Sequence, residues 1–407
     1  MNKYIKLTSF LFLIAVTLTG FGLYKAQVGS PYPELKVVTS EGKPEYIEAI
    51  HFLGFVADNQ NTQNYQNNST FVFKDGDSQY IKDHSFLKRM DFSYDPQLND
   101  LIADYRSFMR GKSRRAEHYT ETEQHVIYTG MESDVYWNQP SLGQMTIAVL
   151  DKETEEEEMF SVSLGTDGSY YEVSATYVDY PHLSILAETN HSSDIPEKSV
   201  YTFDIENPKE ELTEVVNLSE KLESNEGLYT GQSFDKTERF IPLQTVRQTG
   251  DPEFDYNEET SGYFAYDTQT QEVIDVPLFE EETLLFTDND KLYVGKDLGD
   301  TIELYEMNVE NQNMDLVGTI AMATPTIGRD EETLYNNLFN QRMTVLNGKL
   351  YAYEPQHSEN NTRPLFQISD IETQETLFNG TIGPDDTAEN DTTNIDVFEF
   401  RLDTANN

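Results

Sequence analysis

Residues with the chemistry to catalyse or to bind are scattered along this chain, and each grouping competes with a structural explanation. Histidines stand at His51, His84, His118, His125, His182, His191 and His357. None falls into His-x-His or His-Glu-x-x-His spacing, which would place two imidazoles on one zinc ion. They read as isolated surface or loop residues, and a strand across the region from His118 to His125 would keep those two apart. Cysteine is absent. That excludes disulfides, thiolate metal sites, a cysteine nucleophile and a lipid-attachment cysteine. Neither a Gly-x-Ser-x-Gly elbow nor a phosphate-cradling glycine loop is present.

Carboxylates are abundant: 73 Asp and Glu face 28 Lys and Arg, for a net charge of -45. A pair of them could run glycoside hydrolysis, but at this density no pair stands out. Asp75-Gly76-Asp77 and Asp288-Asn289-Asp290 are local carboxylate pairs where a hairpin must turn, so turn chemistry explains them, with weak surface Ca²⁺ binding as the alternative. No cofactor is expected. Glu155 to Glu158 reads as a solvated run at a hairpin tip.

The reverse feature is an island of base. Arg106 to Arg115, RSFMRGKSRR, contains five bases and no acid. Cations at a helix end stabilise its dipole, and they can pair with acids of the same domain. The functional reading assigns Arg110, Lys112, Arg114 and Arg115 to a docking patch for an acidic protein or a polyanionic cell-wall polymer.

Composition limits what frame holds these groups. With 25 Tyr and 23 Phe, the chain can bury a large core, and such residues favour strands. The acidic surface repels phosphates, which argues against nucleic acid. At the N-terminus, Lys3 and Lys6 precede the uncharged Leu7–Tyr24. As a helix this spans roughly 27 Å, enough for a hydrocarbon core. Residues 1–25 therefore read as a signal-anchor with the rest of the chain outside the membrane, the alternative being a cleaved signal peptide and a secreted protein. Residues 26–45, rich in Gly and Pro, read as a tether, with one short strand possible at Lys36–Val38.

From residue 46 to 404 the pattern is strand and turn. Tyr46–Val56 reads as a first strand or strand pair, and Thr70–Leu87 as a hairpin around Asp75-Gly76. One helix interrupts, over 96–110: Asp95 can cap it, Pro96 opens it, Gly111 ends it, and Leu98, Leu101, Ile102, Tyr105, Phe108 and Met109 share a face. A shorter helix is expected within residues 330–343. Hairpins opening their turns at Asp151, Asp204, Asp267, Asn308 and Asp370 then recur, the most regular being Tyr263–Phe279. Leu284–Lys296 also matches Met343–Glu354, each with Lys-Leu-Tyr after its turn. Four short strands per unit, repeated, resemble the blades of a β-propeller. The fold class expected is thus all-β, propeller-like with about six or seven blades, the last strand, Val397–Leu402, completing a blade with the N-terminal strands. A pair of β-sandwiches is the alternative. The function expected is ligand or partner binding, or sensing, by a membrane-anchored extracytoplasmic protein without catalysis. The alternative is an extracellular carbohydrate-active hydrolase or lyase with carboxylates at the mouth of the central channel.

Overall fold

The structure is a computed structural model. It describes residues 16, 33–58, 69–74, 76–84, 96–131, 143–164, 170–190, 197–208, 212–223, 226–230, 239–249, 257–280, 282–323, 342–357, 362–384 and 393–402. The anchor expected at 1–25 (all but Val16), the Asn/Gln-rich loop after Asp58, the Asp95 cap and almost all of the expected second helix lie outside them. Among the described residues no helix is long and apolar enough to cross a membrane.

Strand β1 (Leu35–Gly42) comes first. Blade 1 follows with β2 (Ile50–Asp58), β3 (Ser69–Lys74) and β4 (Asp77–Tyr80). Helices α1 (Pro96–Asp104) and α2 (Arg106–Met109) lead into blade 2: β5 (Tyr119–Glu121), β6 (His125–Met131), β7 (Gln144–Asp151) and β8 (Glu157–Ser163). Blade 3 is β9 (Tyr170–Asp179), β10 (His182–Asn190), β11 (Glu197–Asp204) and β12 (Thr213–Asn217). Blade 4 is β13 (Glu226–Thr230), β14 (Phe240–Thr249), β15 (Asn257–Asp267) and β16 (Glu272–Val276). Blade 5 is β17 (Glu282–Asp288), β18 (Lys291–Asp297), β19 (Thr301–Met307) and β20 (Met314–Ala321). Blade 6 is β21 (Met343–Leu346), β22 (Lys349–His357), β23 (Thr362–Asp370) and β24 (Thr376–Pro384). The last strand is β25 (Thr393–Leu402).

Among the described residues these strands form six antiparallel sheets, each a meander of consecutive strands. Two strands are out of sequence. β25 returns to the first blade and pairs with β2, Ile50 opposite Leu402. β1 pairs instead with β24, Leu35 opposite Pro384, as the fifth strand of blade 6. The chain thus closes on itself at both ends.

Alternation along each strand sends neighbouring side chains to opposite faces, and here the two faces belong to different seams. In β6, Val126 and Tyr128 pack with α1 and α2, while Ile127 and Met131 pack against blade 3. In β18, Leu292 and Val294 face blade 4, and Tyr293 faces blade 6. Blades 3 and 4 meet through Leu186, Val200, Ile241 and Tyr266. Blades 6 and 1 meet through an aromatic cluster in which Phe52 lies 4.8 Å from Phe73 of its own blade and 5.3 Å from Phe366 of blade 6. Each side chain of this size contributes about 1.5–3 kcal/mol on full burial.

The remaining seam, between blades 1 and 2, is occupied by the helices. Leu98, Leu101, Phe108 and Met109 pack on Tyr119, Val126 and Leu150 of blade 2, and Asp100 of α1 takes Lys74 of β3 at 2.6 Å. The apolar face expected for residues 96–110 is therefore the packing face, although the helix breaks at Tyr105, whose φ of -119° and ψ of 42° leave the helical region. Six sheets packed face to face around a closed chain define a propeller-like ring, and side-by-side packing of such blades is what buries their faces.

Three local readings need correction. Leu35–Gly42, expected within a tether, is a paired strand whose partner lies at the far end of the chain. Tyr46 lies in a short 3₁₀ turn, Pro44–Ala49, that precedes β2 rather than in a strand. His51 and His118, expected at the surface, are buried at 6% and 1% exposure.

The two closures differ in burial. Of β1, Leu35 alone is fully buried; β25 places Ile395 in the core between blades 6 and 1. Truncation after residue 392 should abolish the cooperative thermal transition, whereas deletion through Gly42 should lower Tm by a few degrees and keep it cooperative. Melting curves of the two truncations check this.

Candidate functional site

The meander sorts the connections between strands onto two ends of the ring. First-to-second and third-to-fourth connections share one end. Second-to-third and blade-to-blade connections share the other. The first end is made mostly of tight turns, such as 180–181, 268–271, 289–290 and 347–348, with 231–239 the longest exception. The second end receives the connections that join residue 58 to 69, 131 to 144, 249 to 257 and 321 to 343, whereas the helical connection 81–118 crosses back to the first end, where Asp100 meets Lys74 and Lys112 meets Glu157. One end repeats, and the other varies from blade to blade.

All five repeated turn residues open third-to-fourth strand hairpins. Asp151 accepts hydrogen bonds from the N–H groups of Glu153 and Thr154 at 2.9 and 2.7 Å. Asp204 accepts from Glu206 and Asn207, Asp267 from Gln269 and Thr270, Asn308 from Glu310 and Asn311, and Asp370 from Thr373. This is the Asx geometry that suits a turn. In four of them the residue four places on takes a positive φ: Glu155, Gln271, Gln312 and Gln374. Asp77 likewise accepts from Ser78 N–H. Asp288 holds the N–H groups of Asn347 and Gly348 at 2.9 and 2.8 Å, so its carboxylate stitches blade 5 to blade 6. Among the described residues, no three His, Asp or Glu side chains are arranged to hold a metal ion.

A second repeat escaped the sequence reading. A basic or imidazole residue opens or just precedes the second strand of blades 2 to 6: His125, His182, Arg239, Lys291 and Lys349, at nearly even intervals. His125 pairs across from Asp151, His182 from Asp204 and Lys349 from Asp370. In blade 4 this becomes a buried ion pair: Arg239 donates Nε and a terminal nitrogen to Asp267 at 3.0 and 2.5 Å, and Asp267 is 1% exposed. In blade 5 Lys291 reaches Glu306 at 2.9 Å. The even spacing of the bases was the available signal.

The varied end carries a chain of charge across blades 2, 3 and 4. Arg115, just ahead of β5, bridges Glu117 and the Glu172 carboxylate of blade 3, both at 2.5 Å. Lys198 of blade 3 reaches Glu188 at 3.5 Å and lies 5.8 Å from the Tyr229 ring of blade 4. Burial pulls the Lys198 ammonium below its ordinary range, and Glu188 and Glu172 offset only part of that. In blade 4, Arg247 binds Glu223 and Glu226 at 3.0 and 2.9 Å. In blade 6, Arg342 takes Glu354 at 3.3 Å, and burial pushes the nearby Tyr353 hydroxyl up to about 12.

The base island divides in this setting. Lys112 points inward: its ammonium donates to Phe108 O and to Glu157 at 2.8 Å, and stands 3.9 Å from the centre of the Phe108 ring. Arg115 joins blades 2 and 3. Arg110 and Arg114 are exposed. A shallow groove of about 440 Å³ lies elsewhere, lined by Glu34, Leu35, Lys36, Val37, Pro44, Ile47, Gly76 and Asp77, where β1 passes the β3–β4 turn.

Among the described residues, the carboxyl groups that depart from their ordinary pKa all move down. Turn hydrogen bonds hold Asp151, Asp204 and Asp370 low, from Thr154, the Asn207 side chain and Thr373 respectively. Burial would raise Glu117, Glu226 and Asp267. Donors from their own backbone segments and from Arg115, Arg247 and Arg239 override it.

No family model matches the chain, and no curated protein matches it. Solved structures show a distant likeness. TolB from Acinetobacter baumannii is 12% identical over 84% of this chain and 66% of its own, just under two thirds, with a TM-score of 0.31. An oligogalacturonate lyase in complex with manganese is 7% identical over 76% and 69%, with a TM-score of 0.37. A putative 6-phosphogluconolactonase from Bacteroides uniformis is 12% identical over 87% and 99%, with a TM-score of 0.28. These scores are low, and the propeller-like class rests on the six sheets, their shared seams and the double closure.

Asp267→Ala should cost about 3 kcal/mol, the low end for breaking a buried pair, because Arg239 keeps some contact with water. Folding depresses the Asp267 pKa, so the pair's contribution is complete above about pH 4, the range of an unfolded carboxyl, and is lost as pH falls through the lower folded value. Denaturant titrations from pH 7 down to 2 should show the gap between wild type and variant narrowing at the acid end.

Proposed function

We propose that this protein is an extracytoplasmic binding or sensor propeller, held at a membrane by residues 1–25, and that it engages its partner through the varied end of the ring without catalysing a reaction. The observation that supports this most is the segregation of connections. One end is fixed by near-identical turns whose acids bond their own backbone. The other gathers the longer connections that join residue 58 to 69, 131 to 144 and 321 to 343. Binding residues belong on connections of this kind, carried by a rigid frame.

The ionisation pattern supports binding over the carbohydrate-active alternative. A glycosidase-type general acid needs a carboxyl pushed upward by an apolar or like-charged setting. The shifted carboxyls among the described residues go the other way, each held as an anion by donors. The step from propeller fold to partner binding is an analogy of architecture.

The test is photo-crosslinking on intact cells. With a photoreactive residue at Leu278 or Leu298, both exposed on the varied end, the membrane-retained protein should give discrete cross-linked species. The same residue at Thr154 or Thr270 on the turn end should give none. Cross-links confined to the turn end would refute the assignment of the face. Release of the full-length chain from membranes by salt alone would refute the anchor. Turnover of an extracellular polysaccharide by the purified protein would move the reading to the hydrolase or lyase.

A further inference from the structure

The chain contains two Asn-Gly pairs, Asn347-Gly348 and Asn379-Gly380. Such a pair can deamidate without an enzyme, because glycine carries no Cβ to keep its backbone nitrogen away from the preceding side chain. The two pairs are held differently. Asn379 and Gly380 lie in β24, paired on both sides: Asn379 stands opposite Glu41 of β1 and Gln367 of β23, and Gly380 opposite Thr39 and Phe366. Asn347 and Gly348 form the two-residue turn between β21 and β22, with φ of +51° and +71°, the conformation such a hairpin requires. Asn347 is exposed, and a Cβ on Gly348 would meet nothing. What restrains this pair is a side chain of the next blade. The Asp288 carboxylate accepts Asn347 N–H at 2.9 Å and Gly348 N–H at 2.8 Å, while Gly348 O accepts Ile371 N–H at 3.0 Å. Asp288 is 4% exposed, and Asn289 Nδ2 donates to it at 2.9 Å.

We propose that Asn347 is a site of spontaneous deamidation that Asp288 holds in check, so that the contact between blades 5 and 6 sets the chemical lifetime of the turn. The reaction begins when the Gly348 nitrogen loses its proton and attacks Cγ of Asn347. The new N–Cγ bond closes a cyclic imide, the Cγ–Nδ2 bond breaks, and the side-chain nitrogen takes up the proton and leaves as ammonia. Water then opens the imide at one of its two carbonyls, leaving aspartate or isoaspartate at position 347. Asp288 opposes the first step in two ways. Its charge stands 2.8 Å from the nitrogen that must become an anion, and like charges repel. Swinging that nitrogen onto Cγ also breaks a charge-assisted hydrogen bond. Both products place a new carboxylate on a turn that rests on Asp288, and isoaspartate adds a methylene to the backbone of a hairpin built for two residues.

The experiment incubates the full-length protein in mildly alkaline buffer and follows positions 347 and 379 by peptide mapping and mass spectrometry. Folded wild type should stay intact at both, and wild type unfolded in denaturant should deamidate at both. Asp288→Ala should deamidate at 347 at least about tenfold faster than folded wild type, the rate change expected when one charge-assisted bond no longer opposes ring closure. Position 379 should not change. Asp288→Asn, with the same shape and no charge, should move 347 in the same direction, and it carries the test if Asp288→Ala does not melt cooperatively. A rate at 347 in the folded variant equal to or below that of wild type overturns the proposal. So does a rise at 347 matched at 379, which marks general unfolding rather than loss of a local restraint. Folded wild type that loses Asn347 as fast as the unfolded chain, or an unfolded chain that keeps Asn347, overturns it as well.

Discussion

A strand that alternates apolar residues on both faces cannot be satisfied by one neighbour, and every blade of this protein depends on that constraint. Val126 and Ile127 are adjacent in β6 yet belong to cores on opposite sides of blade 2. Leu292 and Tyr293 split in the same way between the neighbours of blade 5. A blade removed from the ring would expose two apolar faces at once, so the blades stabilise one another or not at all. The same constraint explains the helices. Between blades 1 and 2 the apolar stripe of α1 and α2 supplies the second surface that blade 2 needs.

Several polar groups inside these seams are tied to partners. Thr129 and Thr176 meet hydroxyl to hydroxyl at 2.5 Å across blades 2 and 3, and Thr120 donates to Thr176 O at 2.7 Å. Asp288 spans blades 5 and 6 through two backbone N–H groups, and Asp267 is neutralised by Arg239. Buried carboxylates that are this well supplied with donors rigidify the turn end. At the varied end Arg115 pairs with Glu172 across blades 2 and 3, and Lys198 pairs with Glu188 within blade 3 while standing over the Tyr229 ring of blade 4. That end combines a stiff charged base with connections of unequal length.

Much of this was readable locally. A turn opened by Asp or Asn and followed by Thr, Gln or Glu announces its geometry within a few residues, and the five such turns do fall at equivalent hairpins. The stripe from Leu98 to Met109 announced a packing face. What local reading missed depends on distance along the chain. Nothing around Leu35–Gly42 reveals that its partner begins at Pro384. His118 looked like any surface histidine because its burial comes from packing of its segment against β9 of blade 3 and β6 of blade 2. The division of the base island was equally hidden: Lys112 and Arg114 are alike in sequence, and only the position of Glu157 and Phe108 separates the buried cation from the exposed one. The bases from His125 to Lys349 were visible in principle, since their intervals are more even than those of the turn acids, which insertions such as 205–212 disturb.

The two terminal strands occupy opposite margins of neighbouring blades, and this gives the ring an unequal response to mechanical load. β1 lies along the outer margin of blade 6, with most of its side chains in solvent. A pull on the chain ahead of Leu35 acts first on the bonds from Tyr80 Oη to Pro33 O and from Leu35 N–H to Ser78 Oγ, and then on the β1–β24 hydrogen bonds, taken one after another from the Leu35 end. The β25–β2 pairing, which joins the last strand to the first blade, lies on the far side of that blade from these contacts. Under tension from its N-terminal side the protein therefore has a sacrificial strand: it can lengthen by the span of β1 while the closed ring keeps its shape.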